Sequence, residues 1–144
     1  MFFGEFEYRV DDKGRVPLPP RFRHDLKDGL VVIPGAEKCL TAYSLPEWQK
    51  LSAALSGTGS ITPAKMRRLN RAIFAQAFNL ELDRQGRISL PAPLREYAGI
   101  TSDVVIAGIN TYLELWSKNA WDEEKAAGRE QEWQIIESLE RHQS

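Results

Sequence analysis

Cysteine is almost absent from this chain: Cys39 stands alone, so no disulfide can form within it, a usage compatible with a reducing cytoplasm. Histidine is nearly as scarce. His24 and His142 are far apart, and no Cys/His cluster has metal-ligand spacing. There is no glycine-rich phosphate loop and no Gly-x-Ser-x-Gly elbow, so nothing selects a catalytic group. No enzyme, cofactor, metal or small-molecule substrate is therefore expected. No run of about 18 apolar residues occurs, which argues against a membrane span. The opening MFFGEFEYRV lacks a basic n-region, so it does not read as a secretory leader. There is no low-complexity segment.

Net charge is also lacking, at −1, but its placement is uneven. Residues 1–100 hold 15 Lys and Arg against 11 Asp and Glu, a balance of +4; residues 101–144 hold 4 against 9, a balance of −5. A basic front with an acidic tail allows a local anionic partner without a general basic coat. With 144 residues, 42% apolar and 27% charged, the chain is large enough for one buried core without a metal staple.

What the chain does have is an internal repeat. Residues 8–23 read YRVDDKGRVPLPPRFR and residues 80–95 read LELDRQGRISLPAPLR. Asp11, Gly14, Arg15, Leu18, Pro19 and Arg23 recur 72 positions later as Asp83, Gly86, Arg87, Leu90, Pro91 and Arg95. After one inserted residue, Val31-Val32-Ile33 matches Val104-Val105-Ile106, Gly35 matches Gly108 and Ser44 matches Ser117. Trp48 likewise matches Trp121. So many ordered matches with a single gap indicate a duplication.

Each copy decodes alike. Phe6–Val10 and Val16–Leu18 are strand-like, with the turn Asp11-Asp12-Lys13-Gly14 between them. Gly14 can take positive φ, and Asp11 can accept a backbone N–H two residues on. Pro20 suits the first turn of a short helix from Arg21 to about Leu26. Leu30–Ile33 and Leu40–Tyr43 are strands about the Pro34-Gly35 turn, and Ser44 with Glu47 forms a capping box for a helix carrying Trp48. Ser117 is the corresponding cap in the second copy. The chain thus divides into a first repeat (5–49), a connecting segment (50–78), a second repeat (79–122) and an acidic helix or tail (123–144). Within the connector, Gly57-Thr58-Gly59-Ser60 reads as a loop. Thr62 and Pro63 open a helix to about Ala77, with Met66, Leu69 and Ile73 on one face and Arg67, Arg68 and Arg71 opposite. That basic face reads as solvated, as a contact between protomers, or as a DNA contact. In the tail Gly128 is expected to interrupt the helix. Trp48, Trp116 and Trp121 read as packing residues, and Cys39 as a small core residue.

With both Asp-x-x-Gly-Arg turns placed, the sequence resembles the MraZ family. The resemblance rests on Met1-Phe2-x-Gly4-Glu5, DDKGRVPLP, the arginine-rich middle helix, DRQGRISLP followed by LREYAGI, and VVIAGINTYLELW. It implies an α+β, β-rich fold: duplicated hairpin-and-helix units interleaved into a pseudo-twofold swapped-hairpin, AbrB-like double-split barrel with surrounding helices. It further implies a cytoplasmic, nucleoid-associated repressor of the division and cell-wall gene cluster. Such a protein binds repeated boxes in double-stranded promoter DNA and assembles with itself as a homo-oligomeric ring. The alternative is an AbrB-like antitoxin or interaction module that holds a partner protein.

A two-stranded ribbon fits the major groove, and arginine presents a planar fork suited to phosphate and guanine alike. Lys13, Arg15, Arg84 and Arg87 are accordingly the expected DNA-binding residues. Asp11, Gly14, Asp83 and Gly86 brace the turns, since carboxylates beside phosphates would be repelled. Arg21, Arg23 and Arg95 are secondary candidates: they reach backbone phosphate, or they form ion pairs within the barrel.

Overall fold

The computed structural model describes residues 1–56 and 61–143; the loop expected at Gly57–Ser60 lies outside the described residues. The first repeat consists of β1 (Phe2–Arg9), β2 (Arg15–Pro17), α1 (Pro20–Arg23), β3 (Leu30–Pro34), β4 (Leu40–Ser44) and α2 (Leu45–Ser56). After α3 (Pro63–Ile73), the second repeats that order as β5 (Phe78–Leu80), β6 (Arg87–Ser89), α4 (Ala92–Ala98), β7 (Asp103–Asn110), β8 (Tyr112–Ser117) and α5 (Lys118–Gln143). The duplication read from residue spacing is therefore a duplication of elements.

The two arms flanking each Asp-Gly turn do not pair with each other as a simple hairpin would. β1 pairs antiparallel with β7 of the other repeat, from Phe2↔Asn110 to Arg9↔Asp103, and β5 pairs with β3. β2 pairs with β6, with Val16 opposite Ile88. Each repeat thus lends its opening strands to its twin. The main sheet has the order β1-β7-β8-β4-β3-β5, and β2-β6 forms a separate two-stranded ribbon. The expected closed barrel is not formed as one continuous ladder: the six-stranded sheet ends at β1 and β5. The three-residue strands β2 and β6 pair as strands only with each other, which leaves the six-stranded sheet open.

One apolar core serves both repeats. Val16, Leu18, Phe22, Leu30 and Leu40 from the first meet Ile88, Leu90, Leu94, Ile106 and Leu115 from the second, all at most 2% exposed. Neither half could bury these residues alone, so strand exchange and core formation are one event. Phe22 receives the edges of Phe2 and Phe6 at ring separations of 5.1 and 5.4 Å, which docks β1 on α1.

Helix ends follow side-chain caps. Ser44 Oγ accepts the Glu47 N–H at 3.4 Å, Thr62 Oγ1 accepts from Lys65 at 3.3 Å, and Ser117 Oγ accepts from Ala120 at 3.3 Å. Glu47 turns to Lys50 at 3.1 Å. The short helix after Pro19 stops at Arg23, and three-residue turns continue to Gly29. α3 ends at Ile73, four residues before Ala77. Gly128 does not interrupt the last helix, which runs unbroken for 26 residues. A single glycine weakens a helix by about 1 kcal/mol relative to alanine but need not break it, and Ala126 and Ala127 precede this one. Among the described residues no helix is long and apolar enough to cross a membrane.

Candidate nucleic-acid interface

Both Asp-x-x-Gly-Arg segments fold into the same hydrogen-bonded turn. In the first, Asp11 Oδ1 accepts the backbone N–H groups of Lys13 and Arg15, each at 2.9 Å, while Oδ2 accepts from Arg15 Nε at 2.7 Å. In the second, Asp83 Oδ1 accepts from the Gln85 and Arg87 N–H groups at 2.9 Å, and Oδ2 accepts from Arg87 Nε at 2.8 Å. The backbone closes identically, with Gly14 N–H donating to Asp11 O and Gly86 N–H to Asp83 O, both at 3.0 Å. The backbone N–H of Arg15 is the chief reason the Asp11 carboxyl lies below its ordinary range; the Arg15 guanidinium and the Lys13 N–H act in the same direction, against desolvation. Asp83 is lowered by the same groups of Arg87 and Gln85, with the Arg87 N–H again foremost.

Each aspartate thus bonds to two backbone N–H groups of its turn and to the Nε of its arginine. Strand alternation does the rest. Val16 and Ile88 are fully buried, so Arg15 and Arg87, their chain neighbours, lie on the opposite, outward face of the β2-β6 ribbon. Arg15 pairs with Ser89 and Arg87 with Pro17, which offsets the two arginines by two residues, or about 7 Å along the ribbon. One ribbon thus carries both arginines, each half-buried. Lys13 and Arg84 are exposed at the turn tips, and no described carboxylate lies within ion-pair distance of either.

Arg23 and Arg95 have a role that neither sequence alternative named. Arg23 Nε donates to Leu18 O at 2.9 Å and Arg95 Nε to Leu90 O at 3.0 Å, and no described carboxylate pairs with them. Each also lies against the turn of the other repeat. A Cβ on Gly14 would sit 2.9 Å from Arg95 Nε, and one on Gly86 would sit 2.5 Å from Arg23 Cζ. Both glycines have φ near +78°, so the turn conformation and the crossing arginine each demand glycine. Leu18 N–H donates to Gly86 O and Leu90 N–H to Gly14 O, at 3.0 and 2.9 Å, which clamps the turns together. The ion-pair alternative is thereby replaced by carbonyl capping and turn packing. The only hint in the sequence was that Gly14 with Arg23 and Gly86 with Arg95 recur at the same spacing. Arg21 is exposed and lies 5.6 Å over the Phe6 ring.

Other residues the sequence singled out serve packing. Trp116 is buried and stacks at a tilt on half-buried Trp121 at 5.8 Å; Trp48 is half-buried between Tyr43 and Phe74. Glu5 accepts hydrogen bonds from Trp121 Nε1 and Lys125 Nζ, tying β1 to the start of α5, a bond no local pattern announced. Cys39 is buried, donates to Ala36 O at 3.0 Å and is pushed up to about 12 chiefly by desolvation, so it is inert as a nucleophile. No group of three or more metal-binding side chains occurs among the described residues.

Comparison with known proteins agrees with this architecture. The family model described as "MraZ protein, putative antitoxin-like" matches residues 1–71 and again residues 73–141, one match per repeat. Proteins named transcriptional regulator MraZ from Dehalococcoides mccartyi are 59% identical to the chain. For strain BAV1 the match covers 99% of this chain and all of the relative; for strain 195 it covers 97% and 99%. A protein of the same name from Acetivibrio thermocellus is 44% identical over 85% of each chain. With a family match in each repeat and relatives this similar from end to end, the chain belongs to the MraZ family of transcriptional regulators.

Proposed function

We propose that the chain regulates transcription by binding specific double-stranded DNA through the outward face of the β2-β6 ribbon. Lys13, Arg15, Arg84 and Arg87 are the contacting residues, and Arg21 is an auxiliary phosphate contact. The observation that carries the reading is the pair of identically braced turns on one ribbon. A ribbon of two strands is narrow enough for the major groove, and two arginines about 7 Å apart along it match about two base-pair steps. The family's role is regulation, not catalysis, which is consistent with the absence of a selected catalytic group.

The finer reading is a cytoplasmic, nucleoid-associated repressor of the division and cell-wall gene cluster that acts on promoter repeats as a homo-oligomeric ring. The exchanged pairing of β1 with β7 and β5 with β3 supports assigning the fold to the AbrB-like, swapped-hairpin, double-split class. With a net charge of −1, one chain has few cations to offer phosphate, and several ribbons held together gain avidity of about 10²–10⁴ without new contacts. The test is a gel-shift on the DNA upstream of the protein's own gene, using duplexes with one box, two boxes, and two boxes separated by a further half helical turn. The two-box duplex binds best, the shifted one loses that gain, and affinity falls steeply with salt. Equal affinity for all three contradicts the assembled reading. The antitoxin alternative has the exposed end of α5 in its favour; it predicts a partner protein that co-purifies stoichiometrically.

A further inference from the structure

The outward face of the β2-β6 ribbon holds four side chains, and the repeat preserves only two of them. Val16 and Leu18 on one strand and Ile88 and Leu90 on the other are buried, so strand alternation turns Arg15, Pro17, Arg87 and Ser89 outward. The antiparallel register sets Arg15 opposite Ser89 and Arg87 opposite Pro17, about the central pair Val16↔Ile88. The repeat offset of 72 carries Arg15 onto Arg87 but Pro17 onto Ser89. The face is therefore nearly twofold: its arginine corners match and its other two corners differ.

The ladder explains how that difference is tolerated. Leu18 N–H donates to Gly86 O and Leu90 N–H to Gly14 O, so these residues face each other as hydrogen-bonded pairs. Pair types alternate along an antiparallel ladder, which makes Arg15/Ser89 and Arg87/Pro17 the non-hydrogen-bonded ones. Position 17 thus gives no N–H to the ribbon, and proline there costs no ladder bond. In such pairs the Cα atoms are about 4.5 Å apart, so each arginine has one close neighbour across the ribbon. For Arg87 that neighbour is a half-buried apolar ring without a donor. For Arg15 it is an exposed hydroxyl that both donates and accepts. Ser89 and Arg87 also line an open groove of about 520 Å³ whose wall includes Glu81 and Asp83. Two carboxylates there repel phosphate, which leaves base edges as the DNA groups that suit the hydroxyl.

We propose that Pro17 and Ser89 are specificity-determining residues. Pro17 packs on a thymine methyl beside the base read by Arg87, and Ser89 hydrogen-bonds a base edge beside the base read by Arg15. The two halves of one box therefore differ, although the arginines that read them are alike. A nearly symmetric ribbon thereby acquires one preferred orientation on the duplex. These roles deepen the DNA-binding reading and rest on the ribbon being the surface that meets the bases.

The test begins on the DNA, with wild-type protein and the duplex from upstream of its gene. Each thymine of the box is replaced in turn by deoxyuridine, which removes only the C5 methyl. Affinity is expected to fall about fourfold, the worth of one buried CH₂ group, at a thymine in one half of the box. The counterpart step of the other half is expected to be insensitive. Pro17→Ser should become indifferent to that replacement, and Ser89→Ala should lose about fivefold in discrimination among bases at its own step. Should Pro17→Ser fail to fold, Ser89→Pro is the second variant: it breaks no ladder bond and should make the other half sensitive to a thymine methyl placed there. Arg15→Ala and Arg87→Ala are titrated alongside. A box in which no thymine methyl matters, or a Pro17→Ser variant with wild-type methyl dependence, overturns the proposal. So does a Ser89→Ala variant weakened equally on every sequence, which would make Ser89 a phosphate contact. If the arginine variants lose binding while both base preferences survive without Pro17 and Ser89, only these two residues leave the site. If the arginine variants bind like wild type, the ribbon reading fails as well.

Discussion

The two Asp–Arg turns are the same device with different tips. Their bracing bonds agree within 0.1 Å, yet the first tip is Asp12-Lys13 and the second Arg84-Gln85. From Asp11 to Arg15 two cations offset two carboxylates; from Asp83 to Arg87 two cations face one carboxylate, leaving the second turn more positive by one charge. Duplication preserved the parts that hold the turn and aim its arginine. It left free the two positions that only solvent or a partner touches. Chemistry common to both turns thus holds the turn and aims its arginine, and any asymmetry in the DNA contacts proposed for them is expected at Lys13 and Arg84.

The turns differ most in how tightly the opposing arginine lies on them, so the largest expected effect is at the glycines. Gly86→Ala must adopt positive φ, at about 1–2 kcal/mol, and displace Arg23, with overpacking adding about 1–3 kcal/mol. Gly14→Ala meets Arg95 at a slightly greater distance and loses less. Thermal melts of both variants, and of Gly86→Ala combined with Arg23→Ala, check this. If the second change restores nothing, the crossing contact is not what makes Gly86 necessary.

Next in size are the tips. Arg84→Gln is expected to lower DNA affinity and to reduce the slope of log K against log salt by about 1, the signature of one lost phosphate contact. Lys13→Gln does the same more weakly, because Asp12 beside it already opposes phosphate. Titrations at several salt concentrations separate them, and identical slopes for wild type and both variants would remove the tips from the interface.

The braces follow. Asp11→Asn and Asp83→Asn keep an oxygen for the backbone N–H groups and are expected to be milder than the alanine variants in melting and binding. Both carboxyls titrate below their ordinary values when folded. Their stabilisation is therefore complete above the ordinary value of 3.8 and is lost only as pH falls through the lower folded values. An acid melt that Asp11→Asn and Asp83→Asn leave unchanged would show that neither brace is linked to stability.

The smallest effect concerns a site where the copies diverge inside the sheet. Glu114 of β8 occupies the place that Thr41 holds in β4, and the two residues pair across the strands. The Glu114 carboxyl is raised chiefly by burial, so the folded state holds its proton longer than the unfolded chain. Wild-type stability should fall as pH rises from 4.5 through the folded value, and Glu114→Gln, which still accepts from Trp116 Nε1, should flatten that slope. An unchanged slope in the variant would count against the burial.

Residue patterns made the turns, their braces and the helix caps legible, because each is closed by groups within a few residues. Asp11 reaching Lys13 and Arg15, or Ser117 reaching Ala120, are bonds that spacing alone can announce. Strand partnership is different. Alternation marks β1 and β2 as strands but does not say that β1 pairs with β7 across about a hundred residues. The crossing of Arg23 to Gly86 was illegible for the same reason, since it exists only once the repeats have exchanged strands. Gly128 misled because helix propensity is a small term, and a run of alanine and charged residues around it outweighs it.

The central claim is that one ribbon, aimed by two aspartates, reads DNA with Arg15 and Arg87. The most direct measurement is an anisotropy titration of the upstream box with wild type, Arg15→Ala, Arg87→Ala and the double variant, alongside their melting curves. Each single variant is predicted to lose about 1–3 kcal/mol of specific binding, roughly 5- to 150-fold, and the double variant more, with the fold retained. A double variant that is folded and binds the box with wild-type affinity would contradict the account.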